Sequence, residues 1–190
     1  MQTLTIDLFS SLDGFGVAEG WPGYWGKEGP ELLDWQAARL REDHILIMGA
    51  NTYTDMHEIA TANTGVPVFT RMAEIPKIVF SQTITAEPTW ANTTVVREDA
   101  VEAIRDLKAT SSVPLRTSGS ISLGNALLTA GLVDTIEIVI FPVITGQTGR
   151  TPLFADGPDL DLDLIETKTL DGRMQWLKYV PHLHVQGSPQ

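Results

Sequence analysis

Short strand-like runs and amphipathic stretches alternate along most of this chain, and that alternation restricts the fold more than any other feature of the sequence. Apolar and β-branched runs predict strands at 3–9, 44–48, 77–80, 93–96 and 113–117. Apolar residues at helical spacing predict helices at 30–41, 51–59, 99–110 and 120–130. This order favours βαβ units, and therefore a largely parallel sheet with helices on both faces.

The last part of the chain has a different pattern. Segments 134–141, 161–170 and 174–180 are consecutive strand-like runs without a helix between them, so we expect the sheet to finish with antiparallel strands. With 190 residues, of which 43% are hydrophobic, the chain can bury one core of single-domain size. We predict a three-layer α/β fold, with one domain over residues 1–182 and a tail over 183–190.

Composition excludes several classes of function. A formal net charge of -11 disfavours nucleic acid and anionic membranes, whose binding needs clustered Lys and Arg. The absence of cysteine excludes disulfides and thiolate metal sites, and it suits a reducing compartment. No apolar run approaches the roughly 20 residues that span a bilayer, and residues 1–9 lack the features of a signal peptide. We therefore expect a cytoplasmic protein without a nucleic-acid or membrane partner.

A long loop between the first strand and the first helix is rich in glycine and aromatic residues. Residues 10–29 contain six glycines, and their aromatic side chains are Phe15, Trp21, Tyr24 and Trp25. Long loops of this kind often cover ligands, so these four aromatic residues are candidates for stacking on a flat substrate ring. The alternative is that they belong to the core, as aromatic clusters more often do.

Five short segments then occur in an order that matches one known family. They are Ser11–Gly14, Ile47–Tyr53, Lys77–Thr83, Gly119–Asp134 and Phe141–Phe154. Together they resemble the dihydrofolate reductase-like family, in particular the reductase domain of the bifunctional riboflavin-biosynthesis deaminase and reductase. The resemblance extends over residues 2–180. It implies an eight-stranded, mostly parallel sheet, a homodimer, and NADPH-dependent reduction of a small pterin-like, folate-like or riboflavin-precursor-like substrate.

The resemblance also implies where a dinucleotide would bind, beyond the carboxyl ends of the strands. Backbone N–H groups at two helix starts would face the pyrophosphate, and glycine would permit close approach. The residues assigned to the cofactor are Asp13, Gly14, Gly49, Asn51, Thr52, Ser81, Gln82, Thr83, Gly119, Ser120, Ile121 and Ser122. Among them, Ser81–Thr83 are assigned to the adenosine ribose, and Asp13 to a turn that fixes the loop beside the nicotinamide. The alternative is that Gly49 and Gly119 are turn glycines without a ligand.

Three positions depart from the family pattern. Ala50 and Gln82 stand where the family commonly carries Arg, and Ser120 stands where it carries a second Gly. The candidates for replacing the missing cations are Arg71, Arg97 and Arg116. These departures leave NADH, another nucleotide, or a noncatalytic binding protein of the same fold as alternatives to an NADPH-dependent reductase. An acidic interaction module without a pocket is a third alternative, but it leaves the glycine-rich aromatic loop unexplained.

Reduction of an imine or carbonyl also needs a proton donor. Asp34 is the first candidate and Glu31 the second, because the first helix of dihydrofolate reductase carries the substrate-binding carboxylate. Both are equally compatible with solvated acids near a helix start. His182 and His184 share one face of a strand, but two ligands do not define a metal site, so no metal is predicted.

Overall fold

A computed structural model describes residues 1–184 and contains ten strands and five α-helices in that part of the chain. In chain order they are β1 (Leu4–Ser11), β2 (Phe15–Ala18), α1 (Pro30–Arg41), β3 (Ile45–Gly49), α2 (Ala50–Ala62), α3 (Pro67–Glu74), β4 (Lys77–Phe80), β5 (Thr93–Val96), α4 (Ala100–Thr110), β6 (Leu115–Thr117), α5 (Ile121–Thr129), β7 (Thr135–Phe141), β8 (Gly149–Pro152), β9 (Leu160–Leu170) and β10 (Met174–Leu183). None of these helices is long and apolar enough to cross a membrane.

Eight of the strands form one sheet in the order β5, β4, β3, β6, β1, β7, β10, β9. The first six of these are parallel to their neighbours, whereas β10 is antiparallel to β7 and β9 is antiparallel to β10. The predicted α/β class and the antiparallel end of the sheet are therefore confirmed. The last strand runs to Leu183, one residue past the predicted domain boundary, and residues 185–190 of the predicted tail lie outside the described part of the chain.

Apolar residues cover both faces of the sheet, as the strand patterns require. On one face, Leu4 and Ile6 of β1 pack with Ile104 of α4 and Leu127 of α5. The other face is covered in two places, by α1 near β7 and β10 and by α2 and α3 near β3 and β4. Since alternate residues of a strand point to opposite faces, β1 sends its remaining side chains, including Asp7, toward α1.

A row of charged residues lies between the sheet and α1. Arg116 of β6 donates to both carboxylate oxygens of Asp7, each at 2.7 Å, and Arg39 of α1 lies 3.0 Å from the same carboxylate. Arg39 also pairs with Glu137 of β7, to which Trp176 donates an indole N–H at 3.2 Å. Burial raises the pKa of Asp7 to about 6, although Arg116 opposes that shift, and burial likewise raises the pKa of Glu137. These ion pairs fasten α1 to the middle of the sheet.

One helix and two strands of the fold, α3, β2 and β8, are not among the predicted elements. The helix α3 is only eight residues long and begins at Pro67, so its apolar periodicity is short. The strand β2 lies inside the predicted loop and pairs with β8 more than 130 residues away. A pairing between segments so far apart in sequence cannot be predicted from local patterns. Because of this pairing, the start of the glycine-rich loop belongs to a small second sheet.

Candidate functional site

The two helix starts that follow Gly49 and Gly119 lie against each other. The strands β3 and β6 are parallel neighbours, so α2 and the segment before α5 begin at the same edge of the sheet. A Cβ atom on Gly49 would lie 2.7 Å from Ser120 Oγ, and one on Gly119 would lie 2.8 Å from Thr52 Oγ1. A larger residue at either position would force the facing hydroxyl side chain to rotate or the two helix starts to shift.

The start of α2 has no side-chain cap. Its N-cap residue is Gly49, and no side chain in the described part of the chain accepts from its first amides. These N–H groups and the positive end of the helix dipole favour an anion. Around them, Asn51 is exposed and Thr52 is half-buried, so both can reach a ligand at this edge. An uncapped helix start is a favourable place for an anionic group.

The start of α5, in contrast, is capped by the side chain of its N-cap residue, Ser120. Ser120 Oγ accepts from Leu123 N at 3.4 Å and lies 3.1 Å from Ser122 Oγ. The Ser122 side chain is exposed, while Ile121 is half-buried beside Gly16 of β2. Ser120, which departs from the family pattern, therefore contributes a hydroxyl group to this edge of the sheet. It also keeps its close contact with Gly49.

Ser81, Gln82 and Thr83 lie at the same edge, beyond the end of β4. Ser81 Oγ accepts from the amides of Thr83 at 3.1 Å and Ile84 at 3.0 Å, which holds the chain in a turn. Gln82 donates its side-chain amide to the Arg97 carbonyl at 3.1 Å. Gln82 and Thr83 are exposed, whereas the Ser81 side chain is buried and used to form the turn.

Asp13 joins the turn after β1 to a distant loop. Its carboxylate accepts from the amides of Thr145 at 3.0 Å and Gly146 at 2.8 Å. A side-chain hydrogen bond from Ser11, together with these amides, holds the pKa of Asp13 well below its usual range. Gly14 follows with a φ of 88°, a conformation that favours glycine, and its carbonyl accepts from Leu153 N at 3.0 Å. This turn is thus tied to the loop that follows β7.

The four aromatic residues of the loop do not form one cluster. Trp25 is 5% exposed and packs on Phe141, with 5.1 Å between ring centroids. Tyr24 stacks on Phe141 at 5.9 Å and accepts a hydrogen bond from Gln36 at 2.7 Å. Phe15 instead lies against Gly149, and Trp21 is 41% exposed. The core interpretation is correct for Trp25, while Tyr24 is half-buried at the border of the core.

The first turn of α1 is capped from the far end of the chain. Its N-cap, Gly29, has no side chain, and the carboxylate of Asp171 accepts from Glu31 N at 3.0 Å and Leu32 N at 3.1 Å. In return, Asp171 N donates to the Glu31 carboxylate at 2.5 Å. Glu31, a candidate proton donor, is therefore engaged in fastening the helix, whereas the neighbouring candidate Asp34 is exposed. The turn between β9 and β10 supplies this cap, which the sequence analysis missed.

The remaining candidates have separate positions. Arg71 pairs with Glu74 at 3.2 Å on α3, and Arg116 is engaged with Asp7 beneath α1. Only Arg97, of the three candidate cations, lies at the edge that carries Gln82. His182 and His184 each bind a carboxylate of β9, and no group of three or more potential metal ligands occurs within residues 1–184.

The chain is similar to known proteins both in sequence, through a family model, and in three-dimensional structure. Residues 2–176 match the model of the RibD C-terminal domain family, and no curated protein is significantly similar in sequence. A putative riboflavin biosynthesis protein from Shewanella sp. PV-4 has a TM-score of 0.70 and 21% identity, covering 95% of this chain and 99% of that chain.

Two further solved structures share the fold at lower identity. One is a diaminohydroxyphosphoribosylaminopyrimidine deaminase/5-amino-6-(5-phosphoribosylamino)uracil reductase from Thermotoga maritima, with a TM-score of 0.64 and 17% identity over 95% of this chain and 57% of that chain. The other is the dihydrofolate reductase from Enterococcus faecalis complexed with NADP(H), with a TM-score of 0.62 and 13% identity over 94% of this chain and 96% of that chain. The dihydrofolate reductase-like fold that the motifs imply is thus confirmed.

The cap supplied by Asp171 yields a stability test. Asp171→Ala should lower the free energy of unfolding by about 1 kcal/mol, as loss of a helix cap does. Gly29→Ala should have a similar cost, because its Cβ would lie 2.3 Å from Asp171 Cγ and displace the carboxylate. With Asp171 already removed, Gly29→Ala should cost little, since the two residues act through one contact.

Urea unfolding of the two single variants and the double variant measures this coupling. Gly23→Ala is the matched control, because a Cβ there has open space within 4 Å, and it should leave stability nearly unchanged. Additive costs of the two substitutions would contradict the assignment of Asp171 as the cap of α1.

Proposed function

Because the chain belongs to the RibD C-terminal domain family, we propose that it is a reductase that uses NADPH, or NADH, to reduce a small heterocyclic substrate. The observation that carries this proposal is the contact of the two helix starts at Gly49 and Gly119, which leaves an uncapped helix and hydroxyl donors at one edge of the sheet. A structure of the same fold, the dihydrofolate reductase from Enterococcus faecalis, is described as complexed with NADP(H).

Separate parts of the chain would hold the two halves of the cofactor. The amides at the start of α2, with Thr52 and Ser122, would bind the pyrophosphate, because neutral donors at a helix start suit phosphate oxygens. The turn at Asp13 and Gly14 would border the nicotinamide, since it follows β1 at the carboxyl edge of the sheet and is held there by residues 145 and 146. When bound, the reduced nicotinamide supplies a hydride to the substrate carbon.

The proton for the reduced group would come from α1 or from water beside it. Asp34 is an exposed carboxyl on the first turns of α1, so it is our candidate to donate that proton directly or through one water. Glu31 is assigned to fastening the helix, because its carboxylate accepts from Asp171 N. Tyr24, whose ring is half-buried above Phe141, would border the substrate.

A second function has its own supporting observation. Ala50 and Gln82 remove two expected cations, and Trp25 fills space under the loop, so a noncatalytic protein that binds a small flat ligand also fits these residues. The two functions differ in turnover. Binding of a flavin or a pterin without oxidation of NADPH or NADH would favour the noncatalytic protein.

Gly49→Ala tests the reductase proposal directly. Its Cβ would lie 2.7 Å from Ser120 Oγ, so either Ser120 must rotate away or the helix starts must shift. In both cases the shared edge changes, and NADPH affinity should fall about tenfold or more, which corresponds to about 1.4 kcal/mol of binding free energy. Titration followed by nicotinamide fluorescence measures this affinity, with circular dichroism to check the fold.

Gly124→Ala is the matched control on α5. The added Cβ would be 3.6 Å from Ile6, an ordinary contact, so this variant should bind as the unaltered protein does. If the unaltered protein binds neither NADPH nor NADH at millimolar concentration, the reductase proposal is wrong.

We further propose that the protein acts in the cytoplasm as a homodimer that pairs through β9. This strand lies at the edge of the sheet, and residues 161–169 are all exposed. Leu162, Leu164 and Ile165 are 45–54% exposed on it. An edge strand leaves one row of backbone N–H and C=O groups unpaired, which is a template for pairing with another chain, and a second copy would cover these three apolar side chains.

Leu164→Asp should therefore convert the dimer to a monomer, because it places a charge in the apolar contact. The control is Ile59→Asp, which changes an apolar residue of similar exposure, 45%, on α2. Sedimentation velocity of both variants measures the mass. A monomeric unaltered protein, or a Leu164→Asp variant that remains dimeric, would contradict this arrangement.

A further inference from the structure

A phosphate on the adenosine ribose of NADPH needs a cation, and the two positions where the family usually has one are occupied by Ala50 and Gln82. The chain has 13 lysines and arginines in all, and many are engaged elsewhere. The engaged cations include Arg39 with Asp7, Arg71 with Glu74, Lys108 with Asp134, Arg116 with Asp7 and Arg150 with Glu19. Lys77 is 1% exposed and donates to three backbone carbonyls, so it is not accessible to a ligand.

Arg97 lies at the carboxyl edge of the sheet, beside the turn that follows β4. It comes directly after β5, which pairs in parallel with β4 so that Val96 is the partner of Phe80. The Arg97 carbonyl accepts from the side-chain amide of Gln82 at 3.1 Å. The Arg97 side chain donates from Nη2 to the Ile84 carbonyl at 2.8 Å. Backbone and side chain of Arg97 are thus both fixed against segment 82–84.

The guanidinium of Arg97 keeps donors free for a ligand. Arg97 is exposed, and within residues 1–184 no carboxylate lies at ion-pair distance from it, although Glu98 and Asp99 follow in sequence. Asp99 is occupied at the start of α4, where it accepts from Val101 N and Glu102 N at 3.0 Å each. One hydrogen bond to Ile84 orients the guanidinium and leaves its other N–H groups directed to solvent.

The other arginines without a carboxylate partner lie in different places. Arg41 ends α1, on the side of the sheet where β3 begins, and Arg173 lies in the turn between β9 and β10, where it donates to the Lys27 carbonyl. Arg97 is two strands from β3, about 10 Å at the usual strand spacing, so it is close to the uncapped start of α2. A guanidinium at this position suits bidentate contact with a phosphate.

Resting on the proposed function, we infer that Arg97 binds the 2'-phosphate of NADPH and makes the protein prefer NADPH to NADH. Gln82 stands where the family has a cation. Its side-chain amide donates to the backbone carbonyl of Arg97 and so positions Arg97. The charge that the family places after Ser81 is thus supplied from the end of the neighbouring strand.

Titration of the unaltered protein with NADPH and NADH, followed by nicotinamide fluorescence, should show at least about tenfold tighter binding of NADPH. Arg97→Gln should lower NADPH affinity to that of NADH and leave NADH affinity unchanged. Arg97→Lys should restore part of the preference, because the charge is kept but bidentate contact is lost. Competition by 2',5'-ADP and 5'-AMP should show the same pattern without the nicotinamide.

Arg105→Gln is the matched control, since it removes a cation from the exposed face of α4, where Arg105 pairs only with Glu102 at 3.7 Å. An Arg97→Gln variant that keeps the preference for NADPH overturns the inference, as does an equal loss of NADPH and NADH affinity, which would indicate a structural role. Failure of the proposed function is distinct, because the unaltered protein would then bind neither dinucleotide.

Discussion

The arrangement of this protein depends on the close approach of two chain segments where β3 and β6 end. Parallel neighbours bring their carboxyl ends to one edge, and glycine at positions 49 and 119 leaves room for the following segments to touch, since a Cβ at either one would lie within 2.8 Å of a side-chain hydroxyl oxygen. This edge carries the uncapped start of α2, the capped start of α5 and several hydroxyl groups. The free amides and the hydroxyl groups are neutral donors that suit phosphate oxygens. The net charge of the protein, -11, would otherwise repel a phosphate.

The helix α1 is held against the sheet by charge rather than by glycine. Arg39 ties the end of α1 to Asp7 and Glu137 within the sheet, and Asp171 caps its start. The helix is therefore fixed at both ends, and the loop before it is further restrained by the pairing of β2 with β8. A buried ion pair costs desolvation, so its value here is in setting the position of the helix more than in adding stability.

Much of the fold could be predicted from local patterns. The apolar runs of β3 and β7, the periodicity of α4 and the change to antiparallel strands each depend on a few neighbouring residues, and these predictions are confirmed. The glycines at 49 and 119 were also identified from their place between a strand and a helix. Local patterns cannot reveal partners that are far apart in sequence. Asp171 and Glu31 are 140 residues apart, and nothing near Glu31 shows that its carboxylate is already engaged.

The aromatic loop shows the same limit. Composition predicted four aromatic residues around one ligand, but the structure divides them between the core, the small second sheet and the surface. Which aromatic side chain is buried depends on Phe141, a residue of β7 that reaches Trp25 and Tyr24 only in the folded chain. Similarly, Arg71 is engaged by Glu74 of its own helix and Arg116 by Asp7 of another strand, and only tertiary structure distinguishes Arg97 from Arg116.

The most direct measurement of the central claim is a map of backbone amide chemical shifts by NMR as NADPH is added to the unaltered protein. If the touching helix starts form the pyrophosphate site, the largest shifts should occur at residues 50–52 and 120–122, with smaller ones around the Asp13 turn. Shifts confined to other parts of the surface, or none at saturating NADPH, would contradict the account.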